Sequence, residues 1–139
     1  MNQKFSLDEA NRMLPLVSRI VSDIIEYYRE WKRTVEAFEI AATLNRAETP
    51  APEAVALQHK AQRLAREIQG FVGELAHLSL DFKGFELGLV DFPADIEGRQ
   101  IFWCWKHGER SVMYWHDTDS GYNGRQPVEA LLQASAGST

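Results

Sequence analysis

Between Leu7 and Ala42 eleven apolar residues follow one another in alternating steps of three and four: Leu7, Ala10, Leu14, Val17, Val21, Ile24, Tyr28, Trp31, Val35, Phe38 and Ala42. Residues so spaced line one side of an α-helix, so the spacing predicts a long helical seam and leaves little freedom for any other first element. Met13, Leu16, Ile20, Ile25 and Tyr27 lie off the seam and widen it beyond what one partner helix covers. The early part of the helix is therefore expected to face two neighbours. Ser6 and Glu9 form a capping box at its start, with Phe5 placed to staple onto Ala10. Capping accounts for Glu9, which would otherwise attract attention as a site acid. Pro15 falls inside the seam and removes a helical hydrogen bond, predicting either a kink near Asn11 to Pro15 or a short first helix followed by a long second one.

"NRAETPAPEA", with Pro50 and Pro52, interrupts the pattern and reads as a connection. A second helix is expected from about Glu53 to Leu78, with Leu57, Ala61, Leu64, Ile68, Phe71, Leu75 and Leu78 in matching steps. Two matched seams and a short link predict an antiparallel helical hairpin over about residues 6–79, its longer arm roughly 45 Å. Two helices alone would leave much of so wide a stripe in water. Either a homodimer makes a four-helix bundle, or a C-terminal sheet folds back along one face.

From about Leu80 the helical period disappears and glycine-bounded runs of strand formers take over. "LGLVDFP", "RQIFWCW" and "RSVMYWH" predict a three-stranded antiparallel meander, the last two strands joined across "KHGE" with Gly108 in the left-handed position. Alternation places Ile101, Trp103 and Trp105 on one face and Phe102 and Cys104 on the other, while Met113 and Trp115 oppose Val112, Tyr114 and His116. Aromatics on both faces imply two covers, the helices on one side and a second subunit or the C-terminal loop on the other. The fold class is α+β in a single domain, with meander and loop at about 80–127 and a loop, short helix and tail at about 128–139.

Excess acid is concentrated near the C-terminus: residues 85–139 carry 4 basic and 8 acidic side chains, against 11 and 12 in residues 1–84. No basic face suggests nucleic acid. No apolar run reaches a membrane span and the N-terminus lacks a signal-peptide core, so a cytoplasmic protein without a membrane partner is expected. The one cysteine, Cys104, agrees with a reducing compartment and reads as a small buried residue between two tryptophans.

The combination of "FSLDEANRMLPLV", "GLVDFP", "GRQIFWCW", "GERSVMYWH" and "GYNGRQP" resembles the family known as domain of unknown function 2203, from about Phe5 to Pro127. The resemblance brings no substrate, cofactor or catalytic residue. It marks Asp91, Arg99, Glu109, His116, Gly121 and Arg125 as the motif-bearing residues of the second half. Trp103 is a departure, standing where a leucine is expected before the Cys-Trp pair.

In the predicted meander Asp91 ends the first strand, Arg99 begins the second and His116 with Asp117 ends the third, so Asp91, Arg99 and His116 converge at one sheet edge. Glu109, at the opposite hairpin end, closes that hairpin or pairs with Lys106 or Arg110. Three readings of the converging group compete. An Asp-Arg-His network ties strand ends to the loop "DTDSGYNGRQP", Arg99 or Arg125 gripping Asp91. Alternatively, His116 with Asp117, Asp119 or Asp91 binds a divalent metal, with no compact motif to support it. In the third reading Arg99, Arg125, Tyr122 and the glycine-flanked backbone of Gly121 to Gly124 bind an anionic small molecule, with Trp105 or Trp115 stacking on it, in a small polar pocket where the loop meets Asp91 and Arg99. His59 and His77 sit beside the seam of the second helix and His107 in a turn. The expected function is a non-catalytic binding or interaction module, homodimeric through its helices. The alternative is a divalent-metal-dependent, hydrolase-like enzyme using His116 and nearby carboxylates.

Overall fold

The structure, a computed structural model, describes residues 3–44 and 51–137, so most of the expected link lies outside the described residues. Helix α1 (Leu7–Leu44) runs unbroken for 38 residues through Pro15, which sets aside the division into two helices. The capping box forms as expected: the Ser6 amide donates to Glu9 Oε1 at 2.9 Å and the Glu9 amide to Ser6 Oγ at 3.1 Å. Helix α2 (Pro52–His77) opens on a proline, whose missing amide proton costs nothing in a first turn. It ends in a Schellman turn. Ser79 takes a left-handed φ of 68°, its amide donates to Ala76 O, and the Leu80 amide donates to Leu75 O with both leucines buried.

A five-stranded antiparallel sheet follows, its strands adjacent in chain order: β1 (Asp81–Lys83), β2 (Leu89–Ile96), β3 (Arg99–Lys106), β4 (Tyr114–Asp117) and β5 (Gln126–Pro127). Two strands exceed expectation, both edge strands of two or three residues, too short to show a period in sequence. A short helix, α3 (Val128–Gly137), closes the described chain.

Strand β2 corrects the sequence reading most. It does not stop at Pro93 but continues to Ile96 and turns through Glu97 and Gly98, φ 52° and 82°. Two consecutive positive φ values make the tight hairpin turn whose twist matches that of the strands. Pro93 is tolerated because β1 pairs β2 only as far as Asp91. The Pro93 carbonyl points outward to accept the Phe5 amide at 2.8 Å, and its nitrogen faces the same way, where no ladder bond is lost.

One face of the sheet, bearing Val90, Phe92, Ala94, Ile101, Trp103, Trp105 and Trp115, packs on Val17, Val21 and Ile24 of α1 and Ile68 and Leu75 of α2. The wide stripe of α1 thus finds its two neighbours within one chain. Polar bonds fix the sheet to the start of α1: Trp103 Nε1 donates to Phe5 O at 2.9 Å and the Val112 amide to Asn11 Oδ1 at 2.7 Å.

Gly88 sits where the chain entering β2 comes close against α1. Its φ is +67°, and a Cβ there would meet His107 Cβ and Ile25 Cδ1 at 2.9 Å and Val21 Cγ1 at 3.0 Å. Gly98 has φ +82° but nothing within 4 Å. Gly88→Ala should therefore lose about 2–4 kcal/mol, strain and overpacking together, and Gly98→Ala only about 1 kcal/mol. Denaturant midpoints at unchanged m-value measure both, and equal losses would contradict this packing.

Candidate metal centre

The outer face of the sheet carries polar side chains that are nonetheless buried. Alternation puts Asp91 of β2, Cys104 and Phe102 of β3 and Tyr114 and His116 of β4 on this face, opposite the tryptophans. Asp91 and Cys104 are direct cross-strand partners, and His116 reaches in from its position opposite Phe102, their rings 5.5 Å apart. Asp91, Cys104 and His116 are only 2%, 1% and 1% exposed. One ligand-type atom from each lies within 4.8 Å of the others.

The proton positions follow from the partners. His116 Nδ1 lies 2.7 Å from the Asp117 carbonyl oxygen, which only accepts, so Nδ1 carries a proton. His116 Nε2 lies 3.0 Å from Asp91 Oδ1. The second carboxylate oxygen, Asp91 Oδ2, meets Lys83 Nζ at 3.2 Å. Lys83 also lies 3.4 Å from Asp81 Oδ2 and over the ring of Phe102. Partial burial works against its charge, but Asp91 and Asp81 outweigh it and hold the ammonium above the ordinary lysine range.

Cys104 is a thiol here. Burial pushes it up to about 12, the Asp91 carboxylate adds to the effect, and Arg125 pulls weakly the other way. Arg125 Nη2 donates to Cys104 O at 3.1 Å and pairs with Glu109 Oε1 at 2.6 Å, its guanidinium 4.1 Å from the Tyr114 ring and 5.2 Å from that of Tyr122. Burial disfavours its charge, but Glu109 more than compensates. Glu109 also accepts the Lys106 amide at 2.7 Å while its carbonyl accepts Trp105 Nε1. It closes the hairpin as expected, with Arg125 rather than Lys106 or Arg110 as its ionic partner.

The convergence expected from sequence is half present. Asp91 and His116 meet, but Arg99 does not join them: it stands opposite Ile96 at the far end of β3 and pairs with Asp117, over the ring of Trp115. The cause is the extra length of β2, which moves Asp91 from a strand end into the sheet. Asp117 follows His116 by one residue and so faces the other side, while Asp119 is exposed in the following turn. Neither shares a centre with His116. Trp105 and Trp115 are buried on the helix-facing side, away from the polar face where a ligand was expected to stack. Tyr122 and Arg125 stack on each other, and Arg125 and Arg99 belong to different groups. The residue that sequence reading set aside is Cys104. Its only signal was parity with Asp91 and His116, legible once the strand register is known.

The sequence profile of a family described as "Uncharacterized conserved protein (DUF2203)" matches residues 3–128, and the chain belongs to that family. No curated protein and no solved structure matches the chain.

A thiol held near 12 has roughly a thousandfold less thiolate at pH 8 than a free cysteine, before burial slows access further. Metal-free folded protein should therefore react with an aromatic disulfide at least about a thousandfold more slowly than denatured protein. Reaction of the native thiol at the free-cysteine rate would refute this environment.

Proposed function

We propose that this DUF2203 protein binds a divalent transition metal through Asp91, Cys104 and His116. The observation that carries the reading is the burial of an imidazole, a thiol and a carboxylate on three adjacent strands with their ligand atoms within 4.8 Å. Burying such groups is costly, and a packed sheet face does not need them. The donor set, one nitrogen, one sulfur and one oxygen, suits Zn²⁺, Co²⁺, Ni²⁺ or Fe²⁺ rather than Mg²⁺ or Ca²⁺.

Three features support a fit. His116 donates Nδ1–H to a backbone carbonyl, the arrangement that presents Nε2 to a metal. Ligand atoms around a tetrahedral ion stand about 3.3–3.8 Å apart, so the 3.0 Å contact of His116 with Asp91 has to open by only about half an ångström. Charge also balances. A divalent cation is matched by two anionic ligands, the Asp91 carboxylate and the Cys104 thiolate left when the thiol proton departs, beside a neutral imidazole. When bound, such an ion supplies a fixed positive charge. These three side chains support binding; of the hydrolytic alternative, which draws on His116 and nearby carboxylates, they keep His116 and Asp91.

Cobalt tests it. Metal-free protein titrated with Co²⁺ should saturate at one ion per chain with a thiolate-to-cobalt charge-transfer band. Cys104→Ser should remove that band and weaken binding, and His116→Ala should abolish binding. Lowering the pH should weaken uptake at least about tenfold per unit, because the thiol proton has to leave. A flat titration of folded protein, or a band that survives Cys104→Ser, would sink the assignment.

A second reading concerns assembly. The sheet covers α1 only as far as Trp31, and further out Ile40 is 60% exposed and Leu44 76%. A second copy laid along the outer hairpin would bury them as a four-helix bundle. Sedimentation equilibrium at micromolar concentration should then give a dimer that Ile40→Lys dissociates. A monomer throughout would end this reading.

A further inference from the structure

The geometry points to Lys83 as the built-in counter-cation and gate of the Asp91–Cys104–His116 centre: its ammonium holds Asp91 in the metal-free protein and moves outward to Asp81 when a divalent ion enters. The inference rests on the metal-binding reading above and assigns to that centre its entry side and a residue that sets its affinity.

Lys83 differs from the other groups around the centre in its exposure. Its side chain is 51% exposed, whereas those of Asp91 and His116 are 3% and 2%. Between solvent and the buried carboxylate stands a flexible four-carbon stem on a three-residue edge strand, followed at once by Gly84 with φ +74°. The opposite flank is closed by Arg125, which is tied to both Glu109 and Cys104 O and is 11% exposed in its side chain. The Lys83 side is therefore the looser one.

The ammonium is also shared. It lies 3.2 Å from Asp91 Oδ2 inside and 3.4 Å from Asp81 Oδ2, whose side chain is 56% exposed, outside. Asp81 and Asp91 are direct partners in the β1–β2 ladder, so their carboxylates lie on the same face one strand apart. A cation between two such carboxylates can lean to either by side-chain rotation, without breaking a backbone bond. A divalent ion on Asp91 repels the ammonium, and Asp81 gives it an alternative partner that is already in contact. In the metal-free state the same ammonium stabilises a carboxylate that burial would otherwise penalise.

Lys83 is thus a positioning and gating residue and not a ligand. Removing its charge should tighten metal binding, because the incoming ion no longer competes with a resident cation. Removing the outer carboxylate should weaken binding, because the ammonium then has only Asp91 to hold. Wild type, Lys83→Met, Lys83→Arg and Asp81→Asn, each shown to be folded by circular dichroism, would be titrated with Zn²⁺ against a chromophoric chelator, with His116→Ala as the non-binding control. The expected order is Lys83→Met tighter than wild type by at least about tenfold, Lys83→Arg within about threefold of wild type, and Asp81→Asn weaker by a few-fold. Binding by Lys83→Met where wild type shows none would support the gate in its strongest form. Wild-type and Lys83→Met affinities within twofold of each other would overturn the gate and leave the metal centre standing. No Zn²⁺ uptake by either protein would overturn both.

Discussion

The stripe along α1 is too wide for a single partner, and the rest of the molecule is organised by the need to cover it. Burying a Val, Leu or Ile side chain is worth roughly 1.5–3 kcal/mol, and Val17, Val21 and Ile24 are all fully enclosed. Helix α2 covers one flank, Ile68 and Leu75 being its share of the core. The other flank needs a surface that is flat, apolar and close to the helix axis, and a sheet face built from Phe92, Trp103 and Trp105 supplies it. Gly88 marks how close the approach is. The register is then held by groups near the helix start: Phe5 is bonded through its amide to β2 and through its carbonyl to Trp103. A one-residue slip of β3 would send its tryptophans to the opposite face and break the Trp103 anchor.

Committing one sheet face to the helices releases the other from that duty, and it is there that the chain spends its unusual residues. A sheet of this size has one face free to be solvated, with polar residues left in water. Here the outer face instead sequesters Asp91, Cys104 and His116. A fully satisfied network could justify that burial, and Asp91 is in fact satisfied: one oxygen faces His116 and the other Lys83. Satisfaction explains why the fold tolerates the cluster. It does not explain why a sulfur and an imidazole nitrogen should be brought to one carboxylate, a combination whose common chemistry is coordination of a borderline-soft ion.

Where local physics decided the structure, the sequence was legible. The capping box, the two matched seams and the alternation of Ile101, Trp103 and Trp105 each depend on contacts a few residues apart or on a fixed period, and each appears as read. Legibility failed where distant neighbours decide. Pro93 ordinarily argues against a strand interior, yet here the position is open because β1 pairs no further along β2 than Asp91 and the Phe5 amide donates to the Pro93 carbonyl. Extending β2 by those residues carried Asp91 into the sheet and left Arg99 beside Asp117, so the predicted three-residue edge kept only Asp91 and His116. Ser79 at the end of α2 gave no warning either, since glycine is the usual residue at a left-handed cap. Cys104 was legible as buried but not as a neighbour of Asp91, because a cross-strand pair is invisible until the register is fixed.

The motif residues of the second half can now be sorted by what they touch. Gly121, at φ +64°, turns the chain into the short turn over Tyr122–Gly124, which delivers Arg125. Arg125 then clamps Glu109, Tyr114, Tyr122 and the Cys104 carbonyl in one packed unit. That unit fixes the backbone from which the thiol projects, while Asp117 O fixes the histidine ring through Nδ1. Two of the three candidate ligands are therefore held by the body of the protein, and the third, Asp91, is balanced between His116 and a half-exposed lysine. The proposed centre is rigid on the sulfur and imidazole side and adjustable on the carboxylate side, which would let it take an ion without repacking the core. Any rearrangement it needs falls on β1, an edge strand with only three paired residues.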